Sequence, residues 1–245
     1  MKAPADWIVP QWPAPAHVRA LITTRSGGVS SGPYASFNLG ELTDDARDAV
    51  SENKRRLAAL LPAAPRWLRQ VHGDRVVEAD TVSEAVQADA SYTRNAGTVC
   101  AIKIADCMPV LLCDREGRTV AAAHAGWRGL SQGVVENTVH ALQIDPAQLC
   151  AYLGPAIGPD AFEVGDDVFA AFCRDDPDAQ RAFRPLAAGK WLADLFALGR
   201  QRLARAGVRA VYGGGVCTVA DPVRFFSHRR DRITGRMAAL IWIEP

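Results

Sequence analysis

Val99-Cys100-Ala101-Ile102-Lys103-Ile104, Pro109-Val110-Leu111-Leu112-Cys113 and Thr119-Val120-Ala121-Ala122-Ala123-His124 are three short apolar runs in close succession. Each is rich in β-formers, too short for a buried helix and bounded by turn-prone residues, so each reads as a buried strand. The turn Asp114-Arg115-Glu116-Gly117 joins the last two as a hairpin. The pattern then changes to helix from about Gly129 to Leu142, ending before Asp145-Pro146. An antiparallel pair running into a helix fixes the class: a mixed α/β (α+β) chain.

The same pattern extends outward. Ala20 to Thr24 reads as a strand, followed by the turn Ser26-Gly27-Gly28 and a long loop through Asn38 and Gly40. Asp44 or Asp45 is placed to cap a helix reaching about Leu61, with Val50, Leu57 and Leu61 toward the core. Trp67 to Val71 and Arg75 to Ala79 suggest a hairpin around His72-Gly73-Asp74. Leu149 to Leu153 is a further strand, stopped by Gly154-Pro155. Helices are expected around Asp166 to Cys173 and Leu192 to Ala206. The tail reads as strands at Val208 to Tyr212, Arg224 to Ser227 and Arg236 to Ile243. This alternation is too irregular for a doubly wound parallel sheet or a barrel. With no repeat or linker, residues 1–245 are expected to form one catalytic domain of mixed sheets layered with helices, preceded by a proline-rich extended arm over 1–19.

The chain carries 28 basic and 27 acidic residues. That balance argues against a nucleic-acid-binding face, though not against a small phosphate pocket. The apolar runs fall far below a membrane span, and residues 1–7 lack the apolar core of a signal peptide. The expectation is a cytoplasmic protein with reduced cysteines and no membrane partner. No CxxC pair exists among the six cysteines, which disfavours a closed structural zinc knuckle.

His124 ends one apolar run and is followed at once by Ala125-Gly126-Trp127-Arg128-Gly129. Cys107 lies in Ile104-Ala105-Asp106-Cys107-Met108-Pro109, and His72 in Gln70-Val71-His72-Gly73. Each stands where an apolar segment meets a turn, the usual mounting point for chemistry. His17 and His140 read as structural. Three roles compete for the trio. All three can ligate one zinc with a coordination position left open. Cys107 can be a nucleophile with His124 as its base. Copper for oxidation chemistry is the weakest reading, because a multicopper site needs far more than five histidines.

Several segments together are similar to the YfiH-like, laccase-domain family, described as polyphenol oxidase or as purine nucleoside phosphorylase. They include Thr24-Arg25-Ser26-Gly27-Gly28, Gln70-Val71-His72-Gly73, Ala105-Asp106-Cys107-Met108-Pro109, His124-Ala125-Gly126-Trp127-Arg128-Gly129, Leu153-Gly154-Pro155 and Phe226-Ser227-His228-Arg229-Arg230. The resemblance runs from about residue 20 to the end. It implies one zinc on His72, Cys107 and His124. It also implies phosphorolysis of adenosine, inosine, guanosine and methylthioadenosine, with hydrolytic deamination of adenosine. Two departures bear on substrate preference: the family usually has Tyr where His228 stands and a Met-Thr pair where Lys103-Ile104 stand. A Cys-dependent amidase on a cell-wall precursor and a copper polyphenol oxidase are the alternatives.

Phosphorolysis requires a held anion and a stabilised departing purine. Arg25, Arg128, Arg229 and Arg236 are the candidate phosphate clamps, since guanidinium forks match phosphate oxygens. Asn38 and Gln70 are expected to read hydroxyls or purine edges, with Ser227 and His228 in the same substrate-binding set. Asp106 is expected to orient a histidine ligand or a bound water. The partners are then a nucleoside and phosphate, and the chain is expected to be a monomer.

Overall fold

A computed structural model describes residues 3–81, 86–174 and 176–245. The first half contains β1 (Val18–Ile22), α1 (Arg47–Ala58), β2 (Arg66–Trp67), β3 (Val76–Glu78), β4 (Ala90–Thr93), β5 (Val99–Ile104), β6 (Met108–Asp114) and β7 (Val120–Ala125). Next come α2 (Trp127–Gln132), α3 (Val134–Leu142), β8 (Leu149–Leu153), β9 (Glu163–Gly165), α4 (Asp166–Cys173), β10 (Phe183–Ala187) and β11 (Lys190–Ala193). The chain closes with α5 (Leu195–Arg205), β12 (Ala210–Gly213), α6 (His228–Asp231) and β13 (Met237–Ile243).

Among the described residues three sheets form, in the orders β1-β13-β5-β2, β10-β11-β9 and β12-β8-β6-β7-β4-β3. The central runs are apolar throughout because their strands are covered on both faces. All residues of β6 and β7 are buried. Side chains alternate between the two faces. Leu111, Cys113, Val120 and Ala122 point into a core shared with Ile102, Ile104, Ala239 and Ile241 of the four-stranded sheet. Val110, Leu112, Ala121 and Ala123 point the other way, against Leu130, Val135, Phe172 and Leu203 of the helices. Leu57 of α1, with Trp7, Phe37 and Leu39, covers the outer face of the four-stranded sheet. The layers therefore run helix, sheet, sheet, helix. The β6–β7 hairpin expected from sequence forms in register from Met108↔Ala125 to Cys113↔Val120.

Several expectations are corrected. No hairpin surrounds His72: β2 pairs with β5 in one sheet, and β3 pairs with β4 in the other. His72 therefore lies on a crossover between the sheets. The helix expected over 129–142 is two helices, broken at Gly133, whose φ of 103° is left-handed. Asp45 does not cap α1; Ala46 takes that position, and one Asp45 oxygen accepts from Asn38 instead. The helix expected from Leu192 begins at Leu195, where Asp194 caps it by accepting from Ala197 N–H at 2.9 Å. Lys190–Ala193 is a strand, paired with β10 and β9. Arg224 to Ser227 is not a strand, because the Arg224 side chain and the Phe225 N–H both turn back onto Asp221. Near the start of the described residues, Ile8 is bridged to Ile22 and Trp7 is buried.

Candidate metal centre and its cleft

His72, Cys107 and His124 come from three separate elements and converge. Their ligand atoms all lie within 4.8 Å of one another. The two imidazole rings meet edge to face, with centroids 4.9 Å apart. His72 is exposed, Cys107 half-buried and His124 buried, so the trio lies open to solvent on one side.

Asp89 assembles this centre. Its Oδ2 accepts the N–H of Val71 at 3.1 Å and of Gly73 at 2.9 Å, and its Oδ1 accepts the N–H of His72 at 2.9 Å. These bonds hold His72 in a left-handed conformation, φ 61°, which costs a non-glycine residue roughly 1–2 kcal/mol. Oδ1 also accepts from His124 Nδ1 at 2.8 Å. A carboxylate only accepts, so Nδ1 carries the hydrogen and Nε2 is the nitrogen left for a metal. The Asp89 carbonyl accepts the His124 N–H at 2.7 Å. Burial pushes the Asp89 carboxyl up, but His124 and the backbone N–H groups hold it below the usual carboxylate range.

Cys107 follows Asp106, another left-handed residue at φ 86°. Burial alone would raise the Cys107 thiol; His124 and His72 outweigh it and bring the thiol down to about 6. Burial alone would lower His124; Cys107 and Asp89 raise it to about 9. Thiolate and imidazolium thus favour each other, and such a thiolate is both a metal ligand and a nucleophile.

Two glycines explain the spacing that follows His124. A Cβ on Gly126 would stand 2.9 Å from Cys107 Sγ and 3.2 Å from His72 Cδ2. A Cβ on Gly129 would stand 2.6 Å from the Gly73 carbonyl oxygen. Any side chain at either position would force the ligand-bearing loops apart.

The trio opens into a cleft of about 1310 Å³. Its lining carries seven cationic side chains, Lys54, Lys103, Arg128 and Arg236 among them, against the single carboxylate of Glu41. Glu41 is itself engaged by Lys54 and, at 3.1 Å, by Lys103. Arg236 is half-buried: burial lowers its guanidinium, while Cys107 and Asp106 act in the opposite direction. Its Nη1 donates to the carbonyls of Thr234 and Gly235 at 3.0 and 2.9 Å. Its Nε and Nη2 have no partner among the described residues. Arg128 stacks on the Trp127 indole at 4.4 Å, and its guanidinium has no hydrogen-bond partner among the described residues.

The sequence-expected residues divide sharply. Arg128, Gln70 and His228 line the cleft with the trio. Arg25 does not: it donates to the Ala35 and Pro222 carbonyls and packs on Phe226. Arg229 does not: its guanidinium donates to the Glu163 carbonyl at 2.8 Å and lies over Phe162. Asn38 is fully buried and saturated, donating to Thr43 and Asp45 and accepting from the N–H of Gly40 and Arg236. Ser227 is buried and accepts from the Arg230 N–H as the cap of α6. Asp106 orients neither histidine: its oxygens accept from the Thr218 hydroxyl and the Arg229 N–H, both at 2.6 Å. Gln70 spends one amide hydrogen and one carbonyl lone pair on the Lys103 main chain. Lys103 faces the cleft, whereas Ile104 is core. Sequence reasoning missed Asp89. Its one signal was a carboxylate set between Ala88 and Ala90, just ahead of the short run Ser91-Tyr92-Thr93.

Residues 19–244 match the family described as multi-copper polyphenol oxidoreductase laccase. A protein of Pseudomonas aeruginosa named purine nucleoside phosphorylase is 54% identical over 239 residues, covering 97% of this chain and 98% of that one. Purine nucleoside phosphorylase YfiH of Escherichia coli K12 is 52% identical, covering 96% and 98%. Among solved structures, Neisseria meningitidis protein NMB0706 superposes with a TM-score of 0.95 at 51% identity, covering 98% of this chain and all of that one. YlmD of Geobacillus stearothermophilus gives a TM-score of 0.91 at 34% identity, covering 100% and 98%.

Proposed function

The chain belongs to that laccase-described family, and we propose that within it this protein is a zinc-dependent purine nucleoside phosphorylase. The observation that carries the reading is the convergence of His72, Cys107 and His124 at the wall of a cation-lined cleft. The relatives' name supports the reaction class.

The donor set fits zinc. Two imidazoles and a thiolate, with one side open, match a catalytic site of three protein ligands and a free position. Two donors on one zinc stand at most about 4.6 Å apart, twice the longest zinc bond, and the trio approaches that spacing before any ion is bound. A multicopper centre needs several histidine clusters, whereas one such cluster occurs among the described residues. Bound zinc would supply Lewis acidity toward an oxygen of phosphate or substrate.

The chain's own residues do the rest. Asp89 fixes the His124 ring and the backbone that carries His72. Arg236 and Arg128 present guanidinium donors, without partners among the described residues, to an anion in the cleft, where each charge-assisted bond is stronger than a neutral one. A held phosphate oxygen attacks C1′ of the nucleoside and the bond to the purine breaks, giving ribose 1-phosphate and free base. The reading extends to 6-amino and 6-oxo purine nucleosides and to deamination of adenosine by water in the same site.

One observation favours a second reading. The Cys107 thiolate beside His124 is also the arrangement of a cysteine hydrolase. A purine nucleoside panel, incubated with and without phosphate and analysed for products, separates the two. Phosphate-dependent release of base with ribose 1-phosphate is expected. Base release indifferent to phosphate, or none, would sink the phosphorylase reading.

A further inference from the structure

Resting on the phosphorylase reading, we infer that His228 hands a proton to the departing purine. His228 is exposed and lines the cleft that holds His72, Cys107 and His124. It opens α6, and α6 is tied to the metal centre through the main chain. The N–H of Arg229, the next residue, donates to Asp106 Oδ2 at 2.6 Å, and Asp106 directly precedes Cys107. The imidazole is oriented by its Nδ1, 2.9 Å from the Arg232 carbonyl oxygen. A carbonyl only accepts, so Nδ1 keeps its hydrogen in both protonation states. Nε2 is the nitrogen that exchanges a proton, and it has no partner among the described residues.

Elimination leads to the same residue. His72, Cys107 and His124 are committed as metal ligands. Glu41, the cleft's carboxylate, is occupied by Lys54 and Lys103. Asp89 and Asp106 are held by hydrogen bonds on both oxygens. On α6 itself, Asp231 is paired with Arg230 at 2.7 Å. The remaining charged side chains of the cleft are lysines and arginines, residue types that are ordinarily poor proton donors near neutral pH. An imidazole does exchange its proton in that range.

The step balances. A phosphate oxygen forms a bond to C1′ as the C1′–N9 bond breaks and its electron pair passes into the purine. The Nε2 proton of the imidazolium goes to ring N7. The products are ribose 1-phosphate, neutral purine and a neutral imidazole that recovers its proton from water.

The test uses a leaving group that needs no proton. 7-Methylinosine departs as a neutral base because N7 is already substituted; inosine does not. Turnover of both is measured for the metal-loaded wild type, His228→Phe and His228→Tyr, with metal content checked on each. His228→Phe should lose about 100-fold or more in kcat on inosine, within the usual range for a positioned acid, and less than about threefold on 7-methylinosine. His228→Tyr, which restores an O–H donor, should recover part of the inosine rate. Equal losses on the two substrates, or undiminished inosine turnover in His228→Phe, would overturn the assignment while leaving phosphorolysis standing. A wild type inert to both substrates would instead remove the phosphorylase reading and this inference with it.

Discussion

Replacing Asp89 perturbs both histidine ligands through one carboxylate. Asp89→Ala removes the acceptor for three backbone N–H groups and for His124 Nδ1. Hydrogen bonds to a charged partner contribute about 1.5–3 kcal/mol each. Four would sum to roughly 6–12 kcal/mol, but bonds sharing one group do not add, and removing one member of a buried charged cluster costs about 3–5 kcal/mol. We take the lower range. For a chain of this length each kcal/mol moves Tm by about 2–4 °C, so a fall of about 6–20 °C is expected in a domain that still folds. Asp89→Asn should separate the two functions of the carboxylate. Its one oxygen can serve either the His72 and His124 pair or the Val71 and Gly73 pair, while its NH2 opposes the other two donors. It should therefore lose less stability than Asp89→Ala yet still weaken metal binding by about 10–100-fold, as removal of a ligand's hydrogen-bond partner does. Scanning calorimetry with and without metal, and competition titration with a chelator, give both numbers. Asp89→Ala with a Tm within about 2 °C of wild type and unchanged metal affinity would refute this account of how the centre is held.

Gly126→Ala should leave the fold intact but lower metal affinity at least about tenfold, since the new methyl meets Cys107 Sγ at 2.9 Å and a zinc bond tolerates only a few tenths of an ångström; competition titration checks it. Arg236→Ala should raise the KM for phosphate more than the KM for nucleoside, whereas Arg229→Ala should leave the phosphate KM unchanged, because its guanidinium serves the Glu163 carbonyl. Steady-state kinetics varying each substrate separates these cases. In metal-free protein the Cys107 thiolate should appear as pH rises through about 6 and persist above it, well below an ordinary thiol's range. Ultraviolet absorbance of the thiolate follows this directly, and Cys107→Ser should abolish the transition.

Much of the centre was legible in the chain because each ligand stands at the end of an apolar run. Strands buried on both faces produce continuous apolar segments, so the ends of β6 and β7 could be found from residues 99–124 alone. What could not be read was set by tertiary partners. The crossover at His72 looks like a hairpin locally, because Gly73 and Asp74 are turn-formers whichever sheet receives the next strand. Arg25 and Arg229 carry the right chemistry for phosphate, but their guanidiniums are consumed by backbone carbonyls brought from elsewhere in the fold. Asn38 looked like a hydroxyl reader and is instead saturated by Gly40, Thr43, Asp45 and Arg236. Asp89 gave almost no signal, since a lone carboxylate just ahead of a strand is informative only when its four donors are known. The α2–α3 break is visible in hindsight as Gly133, yet an isolated glycine inside a helical pattern is often tolerated.

On the proposed function, Cys107 holds a metal for phosphorolysis rather than attacking substrate itself. Zinc content, intact mass and phosphate-dependent base release should be measured on the same samples of wild type and Cys107→Ser. Wild type should carry about one zinc per chain, as three ligands with an open position require, and should form no covalent adduct. Cys107→Ser should lose zinc and turnover together, because a hydroxyl is a far poorer ligand than a thiolate. Full zinc occupancy in an inactive Cys107→Ser, with a substrate adduct on the wild-type chain, would contradict the account and make Cys107 the nucleophile.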